Sequence, residues 1–209
     1  VPERSGQHGG QGEAIKLVPI TRSAPRDPTL NLTDGLREAA RDVCARVPEL
    51  AHVRLDAVHF TIFHSRAASR ILTYARCYPL PQGMKRRGRH WYALTPVYTP
   101  QGIQARYILA FAWSRFWTLS PRDRLETLVH ELYHISPEFD GEARSFAVGG
   151  WHGHGREWFD NIVRDLTDTH LPLFYELEHP ALSLSLGQRL RVSGERLRKP
   201  HWVESFRSL

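Results

Sequence analysis

The apolar positions of the chain change period twice. Between residues 33 and 47 they are helical: Leu36, Ala39, Ala40, Val43 and Val47 share one face, Thr33 and Asp34 open the segment and Pro48 closes it. Alternation then takes over. Val58, Phe60 and Ile62 alternate with His59, Thr61 and Phe63, and further strand-like runs cover 71–78, 91–97 and 106–113. The last is the most apolar, with Tyr107, Leu109 and Phe111 on one face. A helical period returns at Leu125, Leu128, Val129 and Leu132, and again at Trp158, Phe159, Ile162, Val163 and Leu166. Short polar or Pro/Gly links between the strands suit an antiparallel meander, so the pattern predicts an α+β domain with helices packed on one side of a small sheet.

The flanks carry weaker patterns. Residues 1–30 hold Gly9, Gly10, Gly12, Pro19, Pro25 and Pro28 among polar residues, with a short apolar patch at Ile15, Leu17, Val18 and Ile20, which predicts a mobile arm. The folded domain is expected over 31–172. From 173 to 209 a basic extension is expected: Leu173 to Leu177 as a short helix or strand, and Leu182, Leu184 and Leu186 alternating with serines as a strand. Arg189, Arg191, Arg196, Arg198 and Lys199 follow, with Trp202 and Phe206 as possible anchors.

Composition narrows the function classes. With 209 residues, 41% of them hydrophobic, the chain can bury a proper core. A net charge of +6 and a pI of about 9.7 favour acidic partners, nucleic acid among them, through the Lys85-Arg86-Arg87-Gly88-Arg89-His90 cluster or the basic tail. A solvated hairpin tip is the plainer account of that cluster. Cys44 and Cys77 make neither a zinc ribbon nor a disulfide framework, so a cytoplasmic setting is expected. No apolar run approaches a membrane span, and the amino terminus shows no basic patch followed by an apolar core.

The chemistry is concentrated in Thr127-Leu128-Val129-His130-Glu131-Leu132-Tyr133-His134. Histidines four apart on a helix stand one turn above each other and can aim two imidazole nitrogens at one ion. Glu131 then sits beside that ion, placed to take a proton from water and pass it to a leaving amine. Ser120 as N-cap, Pro121 at the first helical position and Asp123 in the first turn all favour the helix, and Pro137 stops it. A third ligand must come from downstream. Asp140 falls where a compact motif would place one, but Pro137 stands where a glycine would let the chain turn back. Glu157 lies on the next helix, and His152 and His154 lie in the glycine-rich run before it. His154 is preferred, since a histidine at the start of that helix could be held rigidly against the first, and His152, Glu157 and Asp140 remain its rivals.

His130-Glu131-Leu132-Tyr133-His134 together with His154-Gly155-Arg156-Glu157-Trp158 resembles the HExxH and HGxEF/W pattern of SprT-like zinc metallopeptidases. The continuation Ile135-Ser136-Pro137-Glu138-Phe139-Asp140-Gly141 is similar to phage-type metallopeptidases of bacteria and their viruses. The resemblance is clearest from Leu109 to Leu166. It implies a minimal zincin fold and a zinc ion (Zn2+) on His130, His134 and His154. It further implies Glu131 as general base, a protein or peptide substrate, and Asp140 orienting a ligand histidine. The chain lacks the four-cysteine ribbon of the DNA-associated members, so a role on DNA does not follow. The rival class is a zinc-stabilised binding or regulatory protein that contacts nucleic acid through its basic surface. The intact Glu131 speaks against it, because a structural site has no use for a carboxylate there.

Overall fold

The computed structural model describes residues 29–64, 73–184, 191–194, 196–197 and 200–207. The arm expected over 1–30 lies outside them up to residue 28, as do Ile71, Leu186, Arg189, Arg198 and Lys199. The first described residues form a strand, β1 (Thr29–Asn31), which leads into helix α1 (Leu32–Arg46). Asn31 caps that helix, its side chain accepting from the Thr33 and Asp34 N–H groups, so the helix opens one residue before the predicted start. Its predicted face is the buried one: Leu36, Ala39, Ala40, Val43 and Val47 are all inaccessible.

The central sheet contains β2 (Val58–Phe63), β3 (Ala75–Pro79) and β6 (Tyr107–Ala112) in the order β2-β6-β3. A hairpin of β4 (Met84–Arg87) and β5 (His90–Leu94) interrupts the sequence and turns at Gly88. The sheet is therefore mixed. β3 runs antiparallel to β6 with Cys77 opposite Leu109, while β2 runs parallel to β6 with Val58 opposite Tyr107. The meander fails at this pair because a strand buried on both faces belongs in the middle of a sheet, and every residue of β6 is buried. β5 joins a second, antiparallel sheet through β8 (Trp202–Arg207), and β1 pairs in parallel with β7 (Arg191–Ser193).

A short helix, α2 (Trp113–Phe116), leads from β6 into α3 (Pro121–Tyr133), and α4 (Arg156–His170) and α5 (Pro180–Ser183) follow. Ser120 caps α3 by accepting the Asp123 N–H at 3.1 Å, as the sequence predicts. Leu125, Leu128, Val129 and Leu132 are completely buried. They form one core with Phe60, Leu109 and Phe111 of the sheet and Phe159 and Val163 of α4.

That core does not end at residue 172. Tyr175, Ala181, Leu182 and Leu184 belong to it, and the stretch read as strand-like is helical around Pro180 to Ser183. Arg124 fixes this return to the back of α3. Its guanidinium is buried and donates to the carbonyls of Leu182 at 2.6 Å, Leu184 at 2.7 Å and Trp117 at 2.8 Å. Among the described residues no helix is long and apolar enough to cross a membrane, and Cys44 and Cys77 are both free thiols.

Candidate metal centre

The last turn of α3 presents His130 and Glu131, with His134 as its C-cap residue. Arg144 secures this end of the helix. Its Nε donates to the Tyr133 carbonyl at 2.6 Å, its backbone N–H donates to the His134 carbonyl at 2.8 Å, and its guanidinium lies 4.1 Å from the Tyr133 ring centroid. A cation here also complements the negative end of the helix dipole. The chain can return to this point although Pro137 occupies the expected glycine position. Phe139 (φ 51°) and Gly141 (φ 87°) make the turn instead, and a Cβ on Gly141 would stand 2.5 Å from the Leu80 carbonyl oxygen. Phe139 is held in its left-handed conformation by burial against Tyr107, at a ring separation of 5.1 Å.

His130 Nε2 and His134 Nε2 converge to 3.1 Å. Two nitrogens bound at ~2.05 Å to a tetrahedral ion would stand about 3.3 Å apart, so the pair is already close to ligand geometry. His152 completes the group, with one ligand nitrogen from each of the three residues within 4.8 Å of the others. Its ring centroid lies 5.5 Å from that of His130 and 4.9 Å from that of His134.

His154, preferred from the sequence, stands elsewhere. It is exposed and its ring packs against Trp158 at 5.2 Å. The cause is the tight turn of the glycine-rich run. Gly150 and Gly153 bridge each other, Gly149 comes so close to Gly153 that a Cβ would overlap its carbonyl, and Gly153 lies on the Trp158 ring. His152 faces inward across this turn, and His154, two residues later, faces out along Trp158. Glu157 is exposed on the first turn of α4. Asp140 is also exposed; its carboxylate accepts the Glu142 N–H at 2.9 Å, within its own loop.

The carboxylate that does reach a cluster histidine is one the sequence reading passed over. Asp160 Oδ1 lies 3.0 Å from His130 Nδ1, and Arg156 Nε lies 3.6 Å from the other oxygen. A carboxylate on the far nitrogen fixes the tautomer that leaves Nε2 free for a metal. The available signal was position: Asp160 directly follows Phe159, the residue on which the three histidines rest. Phe159 is fully buried, stacks on His134 at 4.6 Å and 21°, and touches His130 and His152 at 4.7 and 5.1 Å. Packing on Phe159 orients His134, whose Nδ1 is buried with no hydrogen-bond partner among the described residues.

Electrostatics prepare these rings to bind a cation. Burial lowers the His130 pKa to about 4 and that of His134 to about 3, with neighbouring histidines and arginines adding to the effect, so both are neutral at physiological pH. Burial, followed by the cation of Arg156, lowers His152 against the opposing pull of Asp160. Glu131 is shifted the other way. Buried on the floor of the same cleft, its carboxyl is pushed up to about 8, although the Cys77 N–H and the charges of Arg76 and Arg156 oppose the shift. The cleft encloses about 620 Å³ between β3 on one wall and α3 and α4 on the other.

A family model described as "Putative phage metallopeptidase" matches residues 32–181. The chain belongs to this family. The matched span runs from the first residue of α1 into α5, so it contains the HExxH helix, the glycine-rich turn and part of the segment held by Arg124. No curated protein and no solved structure matches the chain. Within the matched region the donor set of three neutral, convergent imidazoles fits a divalent metal of intermediate softness, and the adjoining carboxyl of Glu131 fits a hydrolytic one.

Proposed function

We infer that this protein is a zinc-dependent peptidase whose metal is held by His130, His134 and His152 and whose general base is Glu131. The observation that carries the reading is the convergence of three histidine nitrogens in one cleft with a buried glutamate from the same helix turn. Family membership supplies the reaction class, and a protein or peptide is the corresponding substrate.

When bound there, zinc supplies Lewis-acid activation of a water and of the substrate carbonyl, and a positive charge that favours the ionised form of Glu131. Glu131 accepts a proton from the attacking water and returns it to the departing amine. Asp160 keeps the proton of His130 on Nδ1, and Phe159 keeps the three imidazoles from turning away. The Cys77 backbone favours the ionised form of the Glu131 carboxyl beside β3, on the wall where a substrate backbone would lie.

Metal content by mass spectrometry tests the ligand set, and turnover of an unfolded protein tests the activity. About one zinc per chain is expected in the unaltered protein and in His154→Ala, with loss of zinc in His152→Ala. Retention of zinc by His152→Ala together with its loss from His154→Ala would replace the proposed third ligand. Turnover surviving Glu131→Gln would end the assignment of the base.

A further inference from the structure

Charges around the cleft are unequally committed. Of the carboxyl groups that line it besides Glu131, Glu126 pairs with Arg122 at 3.2 Å, Asp160 holds His130, and Asp123 accepts from the capping Ser120 hydroxyl at 2.7 Å. Three arginines line the same cleft, Arg76 on β3 and Arg156 and Arg164 on α4. Only Arg156 reaches a carboxylate, the already shared Asp160. Arg76 touches only neutral groups, the Tyr78 hydroxyl at 3.5 Å and Thr73 Oγ1 at 3.3 Å, and Arg164 touches Asn161 Oδ1 at 2.9 Å. Among the described residues neither has an anionic partner, and both are exposed. They stand on opposite walls with the histidine cluster and Glu131 on the floor between them.

We propose that Arg76 and Arg164 are specificity residues that select polypeptides carrying an acidic side chain beside the bond to be cleaved. The proposal rests on the peptidase reading and names the substrate class of that site. Two planar guanidinium groups on the lining of one cleft can each offer paired N–H donors to a carboxylate, a match that a neutral side chain cannot make. Arg76 acts close to the chemistry, since its charge reaches Glu131, as does that of Arg156. The geometry favours a peptide over a nucleic acid. Arg76 projects from a strand whose outer edge is the cleft wall, where an extended backbone can lie.

The groove has room for such a segment. Tyr78 and Trp151 line both the catalytic cleft and a second hollow of about 510 Å³ beside Pro79, Pro81 and Phe146, so the two adjoin. Trp151 is 53% exposed at that junction, a large aromatic surface offered to whatever passes through.

The test begins with the zinc-loaded protein digesting an unfolded protein, its cleavage sites mapped by mass spectrometry. Synthetic peptides identical except for Glu or Gln at the enriched position then follow. An acidic residue should be enriched beside the cleaved bond, and kcat/KM should favour the Glu peptide by about 2- to 5-fold, the range for an ion pair to an exposed arginine. The preference should collapse towards unity in the double variant Arg76→Gln/Arg164→Gln. Cleavage without acidic enrichment, or a preference unchanged in the double variant, would overturn the proposal. Absence of cleavage of every substrate would instead sink the peptidase reading. The same labelled Glu and Gln peptides are then titrated by fluorescence anisotropy: a Glu preference lost in the double variant supports the anionic site, and equal binding refutes it. Stronger displacement by a single-stranded oligonucleotide than by the Glu peptide, dependent on the same arginines, would assign the cleft to phosphate and overturn the peptide proposal.

Discussion

Replacing Glu131 with glutamine should stabilise the metal-free protein while abolishing its activity. The unfolded chain ionises this carboxyl above pH 4.5, but the native state keeps the proton until about pH 8 because the group is buried. Between these values the native state binds more protons than the unfolded state, so this group makes stability fall as pH rises. At pH 7 the penalty spans 7 − 4.5 = 2.5 pH units, which at ~1.36 kcal/mol per unit amounts to about 3 kcal/mol. Glutamine has the same shape and never ionises. Its advantage should be near zero at pH 4.5, grow with pH, and level off near pH 8. Urea unfolding of both proteins in the presence of a chelator, at pH 4.5, 6 and 7.5, measures this directly, and the titrating histidines cancel because both proteins contain them. Equal stability at pH 7.5, or a difference that does not change with pH, would refute the claim that Glu131 is buried and protonated. Loading with zinc should shrink the difference, since a nearby cation favours the carboxylate.

Asp160→Asn should weaken zinc affinity by roughly 10- to 100-fold with the far-ultraviolet circular dichroism unchanged, because only the group orienting His130 is altered; competition with a chromophoric chelator reads this, and unchanged affinity would deny Asp160 the role. Arg124→Met should cost about 3 kcal/mol in urea unfolding by leaving the Leu182, Leu184 and Trp117 carbonyls without their charged donor; a loss below about 1 kcal/mol would mean that water replaces it. In acid, His130 and His134 should destabilise the metal-free fold as pH falls from 6.5 towards 4, where the unfolded chain takes up protons that the buried rings refuse. In a Glu131→Gln background that slope should no longer be offset by the buried carboxyl, and its absence would show that the rings are open to solvent.

Features governed by neighbouring residues were legible in the sequence. Ser120, Pro121 and Asp123 begin α3, and the stripe from Leu125 to Leu132 is buried as its spacing demands. The α+β class follows from the same periods. Strand order was not legible, because alternation along β2 and β6 says which face is buried and not which partner lies alongside or in which direction. The HExxH pair was unmistakable, since a helix fixes the relation of its own residues. Choosing between His152 and His154 was not possible in that way, for alternate residues of a tight turn point apart according to a backbone path set by Gly149, Gly150 and Gly153 together. Asp160 stands next to Phe159 in the sequence, but its reach to His130 depends on how α4 lies across α3, which no local pattern encodes. Pro137 misled for a related reason: the turn it seemed to forbid is made at Phe139 and Gly141.

The bonds of Arg124 also set an order of assembly. The chain leaves the ribosome from its amino terminus, so His130 and Glu131 emerge well before the carbonyls that secure the helix carrying them, which lie 58 and 60 residues beyond Arg124. Until that stretch has left the exit tunnel, the helix lacks its rear anchor and the nascent chain has no finished site. A chain built this way brings its histidine cluster and the rear support of α3 together only when nearly all of the described core is out.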